Sequence, residues 1–283
     1  MYIRRPSAAG SFYPSDAREL NEMIRDFLSQ VKGSEKIESA VGVVAPHAGY
    51  AFCGKTLAKV YSSVSENSYD TVVLLGPNHY GKGAITTCSG LWQTPIGNLK
   101  VDEGFVKELE RSEIENSFQV HMWEHSLEVQ LPWIIALLGN VKIVPVTINP
   151  VFFDVKEMRE LGKAIHEAAE RLGKRMLCVA SSDFTHYGSA YNYVPFRGSA
   201  GEILRKIKEE DMKMIRAIED FAVERIIELG AASTVCGYGA IAAMVHFAKL
   251  SGAEHAKLLD YRTSFEVSKS LHAIVAYAGV VVY

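Results

Sequence analysis

The chain has 283 residues, an apolar fraction of 48% and a formal net charge of −3. That length allows one large domain or two small ones with a full core, and the absence of any lysine- or arginine-rich block argues against a surface that tracks nucleic-acid phosphates. No run approaches 18 apolar residues and the opening MYIRRPSAAG lacks an apolar signal core, so the expectation is a cytoplasmic protein with no membrane span.

In chain order, Asp16 with Glu19 marks the start of a helix over 17–31. Residues 40–45 (AVGVVA) read as a strand, 54–64 as a helix and 71–76 (TVVLLG) as a second strand. A strand at 84–89 opens a segment, 84–101, whose TPIG at 94–97 suggests a local hairpin. Helices follow over 102–111 and 125–138, with Pro132 in a first turn or at a kink. Strand 142–148 (KIVPVTI) precedes a helix over 154–172, where Met158, Leu161, Ile165, Ala168 and Leu172 make one apolar face. Asp154 and Glu157 form its capping box, and Gly173 closes it. Strand 176–181 (MLCVAS), helices over 200–217, 220–229 and 238–250, and a last strand over 273–283 complete the series. Several strands are continuously apolar, which suits burial on both faces. No linker, repeat or low-complexity stretch divides the chain. Residues 1–283 are therefore expected to form one α/β domain, with helices on both faces of a mixed sheet.

Polar residues gather where these strands end. The first runs into PHAGY with His47, the second into GPNHYG with His79, and 176–181 into SSDFTHYG with Asp183 and His186. In open α/β sheets the carboxyl ends of strands build sites. A lone histidine there is ordinarily a hydrogen-bonded loop residue. Three together, each beside Gly or Pro, point to a shared site for Fe, Zn, Cu or Ni. Asp183 and His186 could instead be an oriented acid/base pair. EHSLEVQLP, 124–132, adds Glu124, His125 and Glu128, whose carboxylates also suit a helix N-terminus. TVCGYGA, 234–240, places Cys236 just before a helix, where a thiol's pKa is expected to fall; a small packed cysteine is the equal alternative. Cys53, Cys88 and Cys178 do not pair with it as CxxC, so no disulfide is expected. His121, His166, His246, His255 and His272 read as structural.

The motifs GSFYP (10–14), PHAGYAFCG (46–54), GPNH (76–79), EHSLEVQLP (124–132), SSDFTHYG (181–188) and TVCG (234–237) occur in one order along nearly the whole chain. In this it resembles the Memo family, whose relatives are the class III extradiol dioxygenases that use non-haem iron. The resemblance implies a three-layer α/β/α sandwich around a central mixed sheet. It implies that His47 and His79 ligate a metal, with Cys236 where the dioxygenases carry a glutamate. His186 matches their acid/base histidine, Asp183 lies close by, and His125 matches a further pocket position. Tyr13 and Tyr50 are expected as cleft walls. A thiolate is softer than a carboxylate and moves preference toward copper(I) or zinc, so Fe(II) or Cu is the implied cofactor and ordinary ring cleavage is not expected.

Three readings follow. The first is a metal-dependent oxidoreductase. The second is a non-catalytic protein that binds metal, peptide or a small ligand on a dioxygenase scaffold. The third is a metal-free hydrolase with Cys236 as nucleophile, His186 as base and Asp183 as its orienter. The expected partner is an unknown small molecule or peptide in the cleft, with no nucleic acid and no membrane; a homo-oligomer is the remaining expectation.

Overall fold

The computed structural model describes residues 2–81 and 83–283. Among them, nine strands form one mixed sheet. Its centre is parallel: Gly42–Ala45, Met176–Ser181, Thr71–Pro77 and Lys142–Ile148 lie side by side in that order. All seven residues of Thr71–Pro77 are buried, as expected of a strand covered on both faces. Ile274–Val282 runs antiparallel to Gly42–Ala45 on one side and to Ala256–Thr263 on the other. At the opposite end Ile85–Thr87 pairs antiparallel with Lys142–Ile148.

Helices close both faces, which makes the three layers expected. On one face lie Val155–Leu172 and Tyr238–Leu250; Met244 of the latter packs on Gly42. On the other lies Tyr50–Val64, whose Val60 and Thr56 sit over Gly279, with Phe27 of Ala17–Gln30 packed against its Gly54. Asp154 and Glu157 form the capping box, and Gly173 takes the left-handed conformation that ends the helix. Asp16 caps its helix by accepting from Arg18 N and Glu19 N.

Other expectations need correction. The helix expected over 125–138 is two helices, His125–Glu128 and Leu131–Leu138. Pro132 has no N–H to give the carbonyl of Glu128, so it fits only in the first turn of the second helix. The segment 84–101 divides. Ile85–Thr87 joins the main sheet, while Leu91–Thr94 and Gly97–Lys100 make the hairpin and pair with Ile3–Arg4 in a separate sheet. Ala256–Thr263 was not expected, since AKLLDYRT is polar at four positions and half-buried along most of its length. Among the described residues no helix is long and apolar enough to cross a membrane, and the four cysteines are unpaired.

Candidate metal centre

Three neighbouring parallel strands deliver the site. His47 follows Gly42–Ala45 by two residues, Asp183 follows Met176–Ser181 by two, and His79 follows Thr71–Pro77 by two. His125 comes from the helix packed over the end of Thr71–Pro77. That approach depends on Gly76, where a Cβ would lie 2.7 Å from both Leu127 and Ser126 side chains. His79 and His125 consequently stack with ring centroids 4.5 Å apart, and His47 stands edge-on to both at 5.3 and 5.6 Å. Each of the three offers a ring nitrogen, and these atoms lie within 4.8 Å of one another.

Hydrogen bonds decide which nitrogen is offered. Ser181 Oγ donates to Ser126 O at 2.6 Å and accepts from Gln130 Nε2 at 2.9 Å. With its one proton committed, it can only accept from His47 Nδ1, 3.1 Å away. His47 therefore carries its proton on Nδ1 and presents the Nε2 lone pair to the cleft. Glu124 does the same for His79: its Oε1 accepts from His79 Nδ1 at 2.9 Å and its Oε2 from the His79 N–H at 2.7 Å. A carboxylate behind an imidazole fixes the tautomer and strengthens the ring as a ligand. Burial pushes Glu124 up, but the His79 hydrogen bond and charge and the Ser126 N–H outweigh it and bring the carboxyl down to about 2.

Two of the imidazoles, His47 and His125, are held toward the neutral form, the one that binds metal. Burial, then the neighbouring His79, His125 and His186, pushes His47 well below the ordinary histidine range. Burial and His79 bring His125 down to about 4. Cys236 Sγ lies 3.2 Å from His47 Nε2, so the thiol borders the cluster at that ring, while the group within 4.8 Å is the three histidines. Gly237 permits this: a Cβ there would fall 2.5 Å from Ser181 O. The expected fall in the Cys236 pKa is not found. The helix begins two residues later, and burial followed by the Asp183 charge pushes the thiol up.

Asp183 and His186 are brought together differently from the expectation. Asp183 is buried, and burial raises its pKa; its Oδ1 accepts from the His47 backbone N–H at 2.8 Å. His186 Nδ1 is oriented by two carbonyls, Phe184 O and Thr234 O, each at 3.0 Å. Its orienter is thus the backbone, and Asp183 orients the His47 turn. A Cys236–His186–Asp183 relay is absent: the thiol meets His47, and Asp183 does not hold His186 Nδ1.

The cleft above these groups encloses about 480 Å³. Tyr13 and Tyr50 do not line it. Both are buried behind it, with hydroxyls donated to Glu128 Oε1 at 2.5 Å and Val129 O at 2.6 Å. Their sequence neighbours Phe12 and Phe52 line it, with Tyr191 and Tyr277 and with Ser264, Ser268 and Ser270. Glu128 turns away from the cleft to pair with Arg4 at 2.7 Å, both side chains fully enclosed. His121 is buried and structural, its Nε2 against Thr86. Sequence reasoning missed Ser181 and Gln130 as orienters. Their signal was position alone, a strand end and the loop before a proline.

A family model described as "Memo-like protein" matches residues 4–281. The chain belongs to the Memo family. This Memo family chain is 45% identical over 290 residues to a MEMO1 family protein of Pyrococcus furiosus, covering 99% of this chain and 98% of the relative. It is 42% identical to one of Thermococcus kodakarensis, covering 99% of each. A MEMO1 family protein of Methanosarcina barkeri is 34% identical, over 99% of this chain and all of its own. Among solved structures, an uncharacterised protein of Escherichia coli K12 is similar at a TM-score of 0.55 and 10% identity, over 85% of this chain and 99% of its own. That likeness extends to the fold.

Proposed function

We propose that this Memo family protein binds a transition metal at His47 and His79 and uses it on a small molecule held in the cleft. The observation that carries the reading is the pair of committed Nδ1 atoms, on Ser181 and Glu124, which leaves Nε2 of both rings free to serve as ligand atoms in a cluster whose ring nitrogens lie within 4.8 Å of one another. Two donors compete for the third position. Cys236 is the one the Memo family resemblance implies, in place of the dioxygenases' glutamate, and its sulfur is already against His47. His125 is the one favoured by the distances among ring nitrogens. A thiolate donor favours copper(I) or zinc, whereas a third imidazole suits Fe(II), zinc or copper equally. The metal when bound would supply Lewis-acid or redox chemistry. His186, whose Nε2 carries no hydrogen bond among the described residues, would move a proton to or from the ligand.

The walls suggest what the ligand is. Besides the histidines and Asp183 they are mainly aromatic and aliphatic, with three serines and no Lys or Arg among the described lining residues. Among the described lining residues no side chain is permanently cationic, so the ligand class is a small, flat, uncharged molecule with a polar group at the metal end. A non-catalytic binding protein on the same scaffold is the second reading. Steady turnover of oxygen or of any ligand by the loaded protein would exclude it.

The test is metal content by mass spectrometry after anaerobic purification and reconstitution with Fe(II), Cu(I) or zinc. Near-stoichiometric metal in the wild type, lost in both His47→Ala and His79→Ala, is the expected result. Cys236→Ser and His125→Ala then identify the third donor by which of them releases the metal. No retained metal in the reconstituted wild type would overturn the reading.

A further inference from the structure

Behind the turn that carries Asp183 and His186 sits a buried carboxylate with no cation beside it among the described residues. Asp211, on the helix Ala200–Glu219, is 2% exposed. Its Oδ1 accepts from Thr185 N at 3.2 Å and Thr185 Oγ1 at 2.6 Å, and its Oδ2 from the Tyr261 hydroxyl at 2.7 Å. Thr185 lies between the two cleft residues. The same turn is held from the sheet side by Phe184 N donating to Ala276 O and Ala276 N donating to Thr185 O. The His186 N–H donates to Thr234 Oγ1 at 2.8 Å. Asp211 thus supplies the only carboxylate among the described residues in a clamp otherwise made of neutral groups.

We infer that Asp211 is a positioning residue, whose ionised carboxylate holds Thr185 so that His186 keeps Nδ1 on its two carbonyls and Nε2 in the cleft. The inference takes from the reading above only that His186 Nε2 is the working group there. A charged acceptor makes shorter and stronger hydrogen bonds than a neutral one, so the clamp tightens when Asp211 ionises and slackens when it is protonated. The facing titratable groups are Tyr261 from the neighbouring strand, Tyr193 across a cavity, and Glu210 on the same helix. Lys208 Nζ reaches the Tyr261 ring, 5.7 Å from its centroid, without pairing with Asp211. Burial, against the hydrogen bonds of Thr185 and Tyr261, raises Asp211 to about 6. The cavity, about 220 Å³ and walled by Phe196, Met214 and Leu229, gives the slackened side chains space to move.

The full-length chain, loaded with zinc and then stripped by chelator, is followed by ¹⁵N and ¹³C NMR of His186 and the Thr185 amide between pH 4.5 and 8. The wild type is expected to show a transition near pH 6 at the Thr185 amide, in the stripped protein as well as in the loaded one. Asp211→Asn abolishes the transition at Thr185 and leaves the His186 ring exchanging between tautomers. Thr185→Val removes one donor to the same carboxylate and moves the transition to higher pH. Spectra of Asp211→Asn that follow the wild type throughout the range would overturn the inference, as would an unmoved transition in Thr185→Val should the first variant not fold. Failure to load zinc would count against the metal reading and leave this readout intact.

Discussion

Glu124 is at once a helix cap and the acceptor for His79, taking Ser126 N at 2.9 Å on the same oxygen that receives the ring N–H. A sequence shows the first role and conceals the second, because the two residues stand 45 positions apart. Glu124→Gln keeps the shape but weakens the acceptor and turns an amide N–H toward donors. Metal affinity, measured by chelator competition, is expected to fall about 10–100-fold with the fold intact. Asp211 gives a pH signature. Burial lifts its pKa from 3.8 to about 6, so the folded chain holds this proton more tightly than the unfolded one. The stability that goes with the proton is complete below pH 3.8 and is lost as pH rises through 6, about 3 kcal/mol in all. Asp211→Asn stays neutral, so its urea stability relative to wild type should rise by about that amount between pH 4 and 7.5. A constant difference across the range would refute this.

Elements place these residues, and here the sequence was unevenly legible. Lys142–Ile148, Met176–Ser181 and Tyr238–Leu250 were readable to the residue, because apolar runs and breakers mark their ends. Ala256–Thr263 was not, because a partly exposed strand carries no continuous apolar run. The N-terminal segment was equally opaque. Its Arg4 reaches Glu128, His121 O and Glu124 O, and Glu128 also takes the N–H groups of Ser7 and Ala8. Glu128→Ala would leave a buried guanidinium and several donors unpaired, a loss of about 3–5 kcal/mol in urea unfolding. Gly237→Ala tests the other approach. Its Cβ meets the Ser181 carbonyl rather than a flexible side chain, so it should cost about 1–3 kcal/mol. It should also move Cys236 off His47. If Cys236 is the third donor, this variant loses metal while His125→Ala keeps it.

At the scale of the whole molecule, fold class and the gathering of His47, His79 and His186 were readable from one rule, that parallel strands build sites at their carboxyl ends. The rule names which loops meet, but not which way a ring turns within them. The tautomers of His47 and His79, the Thr234 carbonyl that anchors His186 and the burial of Tyr13 and Tyr50 all depend on partners tens of residues away.

Ile274–Val282 is the last strand of the chain, yet it lies inside the sheet, beside Gly42–Ala45. Pairing the two closes a loop of more than two hundred residues, and the chain entropy of that closure sets it among the slower contacts of folding. The turn bearing Asp183 and His186 depends on the same strand, since Phe184 and Thr185 bond to Ala276. Histidines distant in sequence therefore gain their orientation only once the sheet is assembled, and loosening this one strand would disorder the cleft before the rest of the core.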